Sequence, residues 1–132
     1  MTGRSKYYSK KVTVDGITFD SKKEYLRYRE LMLLESAGVI SGLELQKRFE
    51  LIPAQYETYA RYGKRGQRLK DGRRCVEQSV CYVADFYYKD KNGDPVVEDT
   101  KGYRNPSTSG YAYFVLKRKL MLYVHGIRIR EI

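Results

Sequence analysis

Asp85 lies in Tyr82-Val83-Ala84-Asp85-Phe86, an apolar, strand-like run in which an unsatisfied carboxylate is costly. One turn later comes Val96-Val97-Glu98-Asp99-Thr100-Lys101-Gly102. A three-residue loop, Lys91-Asn92-Gly93, with Gly93 in the left-handed conformation pairs Asp90 with Asp94. Counting back along both strands then pairs Asp85 with Asp99. Residues opposed in antiparallel strands share a face, with Cβ atoms roughly 5 Å apart. Lys101 lies two residues beyond Asp99 and shares that face. Two like charges so placed repel each other. A divalent cation between them, with Lys101 alongside, removes that penalty. Few, hard oxygen ligands suit magnesium, which keeps several waters and completes its shell from a phosphate. Such an ion polarises a phosphoryl group and activates water, while Lys101 orients that water or stabilises developing charge. Glu98 would reach the same face after a one-residue slip, but the spacing to Lys101 favours Asp99.

The elements that must carry these residues follow from pattern. Val12-Thr13-Val14 and Ile17-Thr18-Phe19 flank Asp15-Gly16, the signature of a tight hairpin. Asp20-Ser21 opens a helix, and Ser21 with Glu24 matches a capping box. That cap accounts for Glu24 without any chemistry. Tyr25, Leu26, Tyr28, Leu31, Met32, Leu34 and Ala37 follow at helical spacing, and Gly38 stops the helix. Residues 40–53 alternate as a strand, with a break expected at Lys47-Arg48. Gln46 lies on this strand, and a surface glutamine is its plainer reading. Residues 60–74 hold seven Lys or Arg and three Gly among fifteen, which predicts a mobile basic loop. Residues 75–88 predict a long strand and 95–100 its return. Residues 102–110 predict a loop, and 111–125 a helix with an apolar face of Phe114, Leu120, Met121 and Val124. Gly126 stops it, and 127–132 alternate as a last strand. The predicted order is hairpin, helix, three strands, helix, strand. That is an α/β domain spanning 1–132, a central mixed β-sheet flanked by helices, with no internal repeat.

Charge narrows the partner. The 132 residues carry 26 Lys+Arg against 16 Asp+Glu, a formal net charge of +10, which points to a polyanion. The rival, a membrane surface, lacks support: there is no long apolar run and no lipidation signal. Residues 1–11 are basic and poor in aliphatics and read as a flexible arm, not a secretory leader, so a cytoplasmic protein is expected. Lys10, Lys11, Arg65, Arg68, Lys117 and Lys119 are the candidates for phosphate contact, within the wider basic set that includes Arg118. Aromatic content is 14 Tyr, 4 Phe and no Trp, and Tyr111, Tyr113 and Tyr123 read as packing residues. Cys75 and Cys81 fall on one predicted strand, on one face but apart along it, and read as reduced, half-buried thiols without a zinc motif. His125 sits in the last turn of a helix, where the dipole favours imidazole, and is not assigned to catalysis.

The facing acids resemble the PD-(D/E)XK nuclease superfamily. Gly16-Ile17-Thr18-Phe19-Asp20-Ser21-Lys22-Lys23-Glu24, then Tyr28, then the hairpin ending Asp99-Thr100-Lys101-Gly102, is similar to a phage-encoded family of that superfamily. The Asp and Asp-Thr-Lys-Gly portion also resembles the endonuclease I type of Holliday junction resolvase, and the likeness runs from Lys6 to Ile132. Ala84 stands where that pattern often has proline. The resemblance implies a restriction-endonuclease-like fold and a magnesium- or manganese-dependent DNA endonuclease encoded by phage or prophage. Glu24, Asp85 and Asp99 would be the metal ligands and Lys101 the catalytic lysine, and Gln46 lies where related nucleases can carry an extra polar site residue. Short length and the lack of a base-reading helix favour a structure-selective, junction-resolving enzyme, and junction resolution implies a symmetric homodimer. The alternatives are a non-catalytic nucleic-acid-binding protein on the same scaffold and a sequence-specific or nicking endonuclease.

Overall fold

The computed structural model describes residues 10–101 and 109–132. Most of the arm expected at 1–11 and most of the loop expected at 102–110 therefore lie outside the described residues. Lys10 and Lys11 are exposed and lead into β1 (Val12–Val14). Asp15 and Gly16, both with positive φ (51° and 79°), turn it back into β2 (Ile17–Phe19). This is the twist that a two-residue hairpin requires.

Ser21 caps α1 (Lys22–Ser36): its side chain accepts from the Glu24 amide. Leu31 is fully buried, and Tyr28 and Leu34 pack beside it, whereas Leu26 and Met32 of the expected apolar face are exposed. β3 (Ser41–Ile52) runs unbroken through Lys47-Arg48. Its irregular point is one residue earlier, at Gln46, whose φ is 54°.

The segment read as a loop at 60–74 is instead part of a hairpin. β4 (Gln55–Tyr62) pairs antiparallel with β5 (Arg68–Glu77), and the two form a separate two-stranded sheet. Neither strand buries a face, so the hydrophobic alternation that usually betrays a strand is missing. Cys75 lies on β5 and Cys81 on β6 (Val80–Lys89), so the two do not share a strand as expected. Both thiols are free, Cys75 exposed and Cys81 half-buried.

The main sheet has the order β3-β6-β7-β8, with β7 at Pro95–Asp99 and β8 at Ile129–Glu131. The first three strands are antiparallel and β8 joins β7 in parallel, which makes the sheet mixed. The parallel pair is bridged by α2 (Ser109–His125), which starts two residues before the predicted Tyr111. Adjacent residues of β7 serve different helices. Val96 packs in a core with Leu31 of α1, and Val97 in a core with Phe114 and Met121 of α2. Since neighbouring strand residues point to opposite faces, the two helices cover opposite faces of the sheet there. Val124 of the expected apolar face of α2 is exposed, as are Tyr113 and Tyr123, which do not pack as expected. Tyr111 is half-buried and donates to Glu131 at 3.1 Å, tying α2 to β8. No helix among the described residues is long and apolar enough to cross a membrane.

β3 and β6 share one further feature. Leu43 and Leu45 pack in the α1 core, while Phe49 and Leu51, on the same alternate positions, pack in the α2 core. β6 does the same, with Phe86 and Tyr88 toward α1 and Tyr82 and Ala84 toward α2. The handover falls at Gln46 and Asp85, which the flanking pairs Leu45↔Phe86 and Lys47↔Ala84 place opposite each other.

Candidate active site

The β6–β7 turn sets the register of the acids. The Gly93 amide donates to the Asp90 carbonyl at 2.9 Å with Gly93 at φ 81°, and the Asp90 amide donates to the Asp94 carbonyl at 2.9 Å. The ladder runs Lys89↔Pro95, Tyr88↔Val96, Tyr87↔Val97 and Phe86↔Glu98. Its next step sets Asp85 against Asp99, and the two carboxyl groups meet within hydrogen-bonding reach.

Asp85, Asp99, Glu24 and Lys101 line one pocket of about 230 Å³ with Asp20, Ser21 and Thr100. Asp85 is held from behind: its Oδ2 accepts from the Thr100 amide and the Thr100 hydroxyl, both at 2.8 Å. Lys101 Nζ lies 2.7 Å from Asp99 Oδ2 and 3.6 Å from the centroid of the Phe114 ring, so α2 helps to place the ammonium. The backbone around Thr100 is fixed by the last residue of the chain. The Lys101 amide donates to the Ile132 carbonyl, and the Ile132 amide to the Asp99 carbonyl, each at 2.9 Å.

Glu24 caps the helix and also lines the acidic pocket. It closes a cap, although one residue earlier than a standard box, with Oε2 accepting from the Asp20 amide at 3.3 Å. Its other oxygen faces Gln46 Nε2 at 3.5 Å. Burial, then the charge of Asp85, pushes the Glu24 carboxyl up to about 7. Burial, then the Asp85 carboxyl beside it, likewise pushes Asp99 up to about 7, against the pull of Lys101. The buried Tyr82 hydroxyl lies beside Asp99 without a well-formed hydrogen bond among the described residues.

Glu98 is removed from this chemistry. It points to the α1 face, fully buried, where Arg27 donates Nε to Oε1 and Nη2 to Oε2, each at 2.7 Å, and the Tyr88 hydroxyl donates to Oε2. Arg27 and Tyr88 have no local sequence signal, because their partner is 71 and 10 residues away respectively. Thr100 and Asp20 could have been found as neighbours of the named acids. Gln46 was visible by position, and its strained backbone supplies the stronger signal. His125 donates to, or accepts at, no group of the pocket; its Nε2 meets the Glu50 carbonyl at 2.6 Å.

None of the six candidates for phosphate contact lines the pocket. Arg65 is in the β4–β5 turn, and Arg68 pairs with Asp71 on β5. Lys117 covers the Tyr113 ring at 4.7 Å, and Lys119 is exposed on α2.

The donor set fits a hard divalent cation. Apart from the Lys101 ammonium, the side-chain polar atoms lining the pocket are all oxygens, carboxylates of Asp20, Glu24, Asp85 and Asp99 and hydroxyls of Ser21 and Thr100, and the carboxyls resist ionising together, which a cation would relieve. No three His, Cys, Asp or Glu side chains among the described residues already converge at ligand spacing on one point. One or two carboxylates plus water meet the usual demand of magnesium.

The chain matches, over residues 4–125, the family described as "Protein of unknown function (DUF1064)". No curated protein and no solved structure matches it.

Proposed function

The chain belongs to the DUF1064 family, and on that premise we propose that it is a magnesium- or manganese-dependent DNA endonuclease of the PD-(D/E)XK type, with a restriction-endonuclease-like fold. One observation carries the reading. Glu24, Asp85 and Asp99 share a small pocket with Lys101, although burial and mutual repulsion raise the carboxyl pKa values of two of them. The cap accounts for one oxygen of Glu24 but leaves the facing of Asp85 and Asp99 unexplained.

Asp85 and Asp99 would hold the cation, and Glu24 would reach it directly or through a bound water. When bound, it would polarise a phosphoryl oxygen and lower the pKa of a coordinated water. Thr100 keeps the Asp85 carboxylate oriented, so that ligand is preorganised. Lys101 is already in the pocket, its Nζ 2.7 Å from Asp99 Oδ2, where it would stabilise negative charge developing on a phosphoryl group or orient the attacking water. Gln46 would steady the second Glu24 oxygen. The net charge of +10 supports a polyanionic substrate. Branched DNA cleaved by a homodimer is the first substrate form we propose.

The test is cleavage of duplex, single-stranded and four-way-junction DNA with magnesium and with chelator. Cleavage that requires the metal, and that Asp85→Asn and Lys101→Ala both abolish while DNA binding persists, is the expected result. Unchanged cleavage in both variants refutes the site.

A further inference from the structure

The β4–β5 hairpin pairs only with itself, and every residue of β4 is exposed. Isolated two-stranded hairpins are marginal in water and gain stability by packing on something. This one has no core. It carries instead seven Lys or Arg against three Asp or Glu between Gln55 and Glu77. Arg61, Lys64, Arg65 and Lys70 form no ion pair among the described residues.

The aromatic residues are organised around charge. Arg73 lies 3.7 Å from the Tyr56 ring centroid, Arg74 4.8 Å from that of Tyr59 and Arg68 5.7 Å from that of Tyr62. Each of these rings thus has a guanidinium over it. The Tyr59 ring also lies across Gly72, where an added Cβ would stand 2.3 Å from it. Gly72 therefore leaves room for the ring to lie across the ribbon.

We propose that the β4–β5 hairpin is an arm that grips the phosphate backbone of duplex DNA. The proposal deepens the nuclease reading, because it takes DNA as the partner. Three arguments select this occupant. The unpaired cations match a polyanion. A two-stranded β-ribbon fits the DNA major groove, and strands of this length span on the order of 25 Å. A guanidinium over each tyrosine ring occupies a face on which an unpaired base would stack, which favours backbone contact. Contacts to phosphate carry no sequence information, so the arm binds without sequence preference.

The test is binding of the full chain to a short duplex, followed by fluorescence anisotropy in chelator across a salt series. No metal and no cleavage are needed, so failure of the arm and failure of the nuclease reading are separate results. The variant R61A/K64A/K70A should weaken binding and lower the salt slope by about 2 to 3 units, near one for each phosphate that is no longer neutralised. The charge-keeping variant R61K/K64R/K70R should keep the wild-type slope, which excludes misfolding as the cause. A slope unchanged in the alanine variant overturns the proposal. So does an alanine variant that loses self-association in sedimentation while binding duplex as wild type does, because the arm would then serve a second copy of the chain.

Discussion

Arg27 grips both carboxylate oxygens of Glu98 at 2.7 Å, while the next residue, Asp99, turns to the opposite face of β7 and into the acidic pocket. The pair does two things at once. It satisfies a carboxylate with no solvent exposure, and it clamps α1 onto β7 one turn beyond Glu24. Burial and this pairing raise the Tyr88 hydroxyl to about 12, keeping it a proton donor to Glu98. The clamp sits behind the site and keeps Glu24 and Asp99 in fixed relation.

Removing one partner should therefore cost more than removing both. Arg27→Met leaves Glu98 buried with only Tyr88, and should lower stability by about 3–5 kcal/mol, the usual cost of orphaning a buried charge. The double variant R27M/E98Q should recover most of that loss. Urea unfolding of the single and double variants measures both; additive losses would mean that the two side chains are not coupled.

Stability should fall with rising pH when no metal is present. Glu24 and Asp99 titrate at about 7 in the fold, above the ordinary carboxylate range of the unfolded chain. The folded state thus binds protons more tightly between those values. Its advantage is complete below the unfolded pKa and is lost as pH rises through about 7. Thermal unfolding in chelator should show a lower midpoint at pH 8 than at pH 5.5, and magnesium should restore stability at pH 8. A flat profile would show that these carboxyls are not strained by one another.

Gln46 should trade stability for function. Its φ of 54° is unfavourable for a side chain other than glycine, at a cost of roughly 1–2 kcal/mol. Gln46→Gly should raise the urea midpoint, yet slow any cleavage by releasing Glu24 Oε1. A variant that is less stable and equally active would contradict both halves.

His125→Ala should leave hydrolysis unchanged, since the ring binds the Glu50 carbonyl at 2.6 Å and packs edge-on against Phe49. Stability should drop by about 0.5–1.5 kcal/mol, the net contribution of one such hydrogen bond. Loss of activity in a folded variant would give the histidine a part in the chemistry.

The facing of Asp85 and Asp99 was legible because it is local. Gly93 fixes the turn, the turn fixes the ladder, and a strand period of two carries the register out to both acids. The helices were legible for a similar reason: caps and glycine stops act within a few residues. The β4–β5 hairpin was not legible, because strands that bury no face leave no alternating pattern, and a Gly-rich basic run reads as a loop. The strand change at Cys75 and Cys81 was hidden with it.

What the sequence by itself determined is therefore the pair, Asp85 against Asp99 with Lys101 two residues on. Turn chemistry and strand period suffice for that. Only the tertiary structure decided the rest of the site. Glu24 joined the acids because α1 docks on the sheet through the Leu31 core and the Arg27–Glu98 pair, residues 71 positions apart. Gln46 joined them because β3 lies against β6 and both strands hand over from one core to the other at that level. Such placements depend on how whole elements pack, which no spacing within one element encodes.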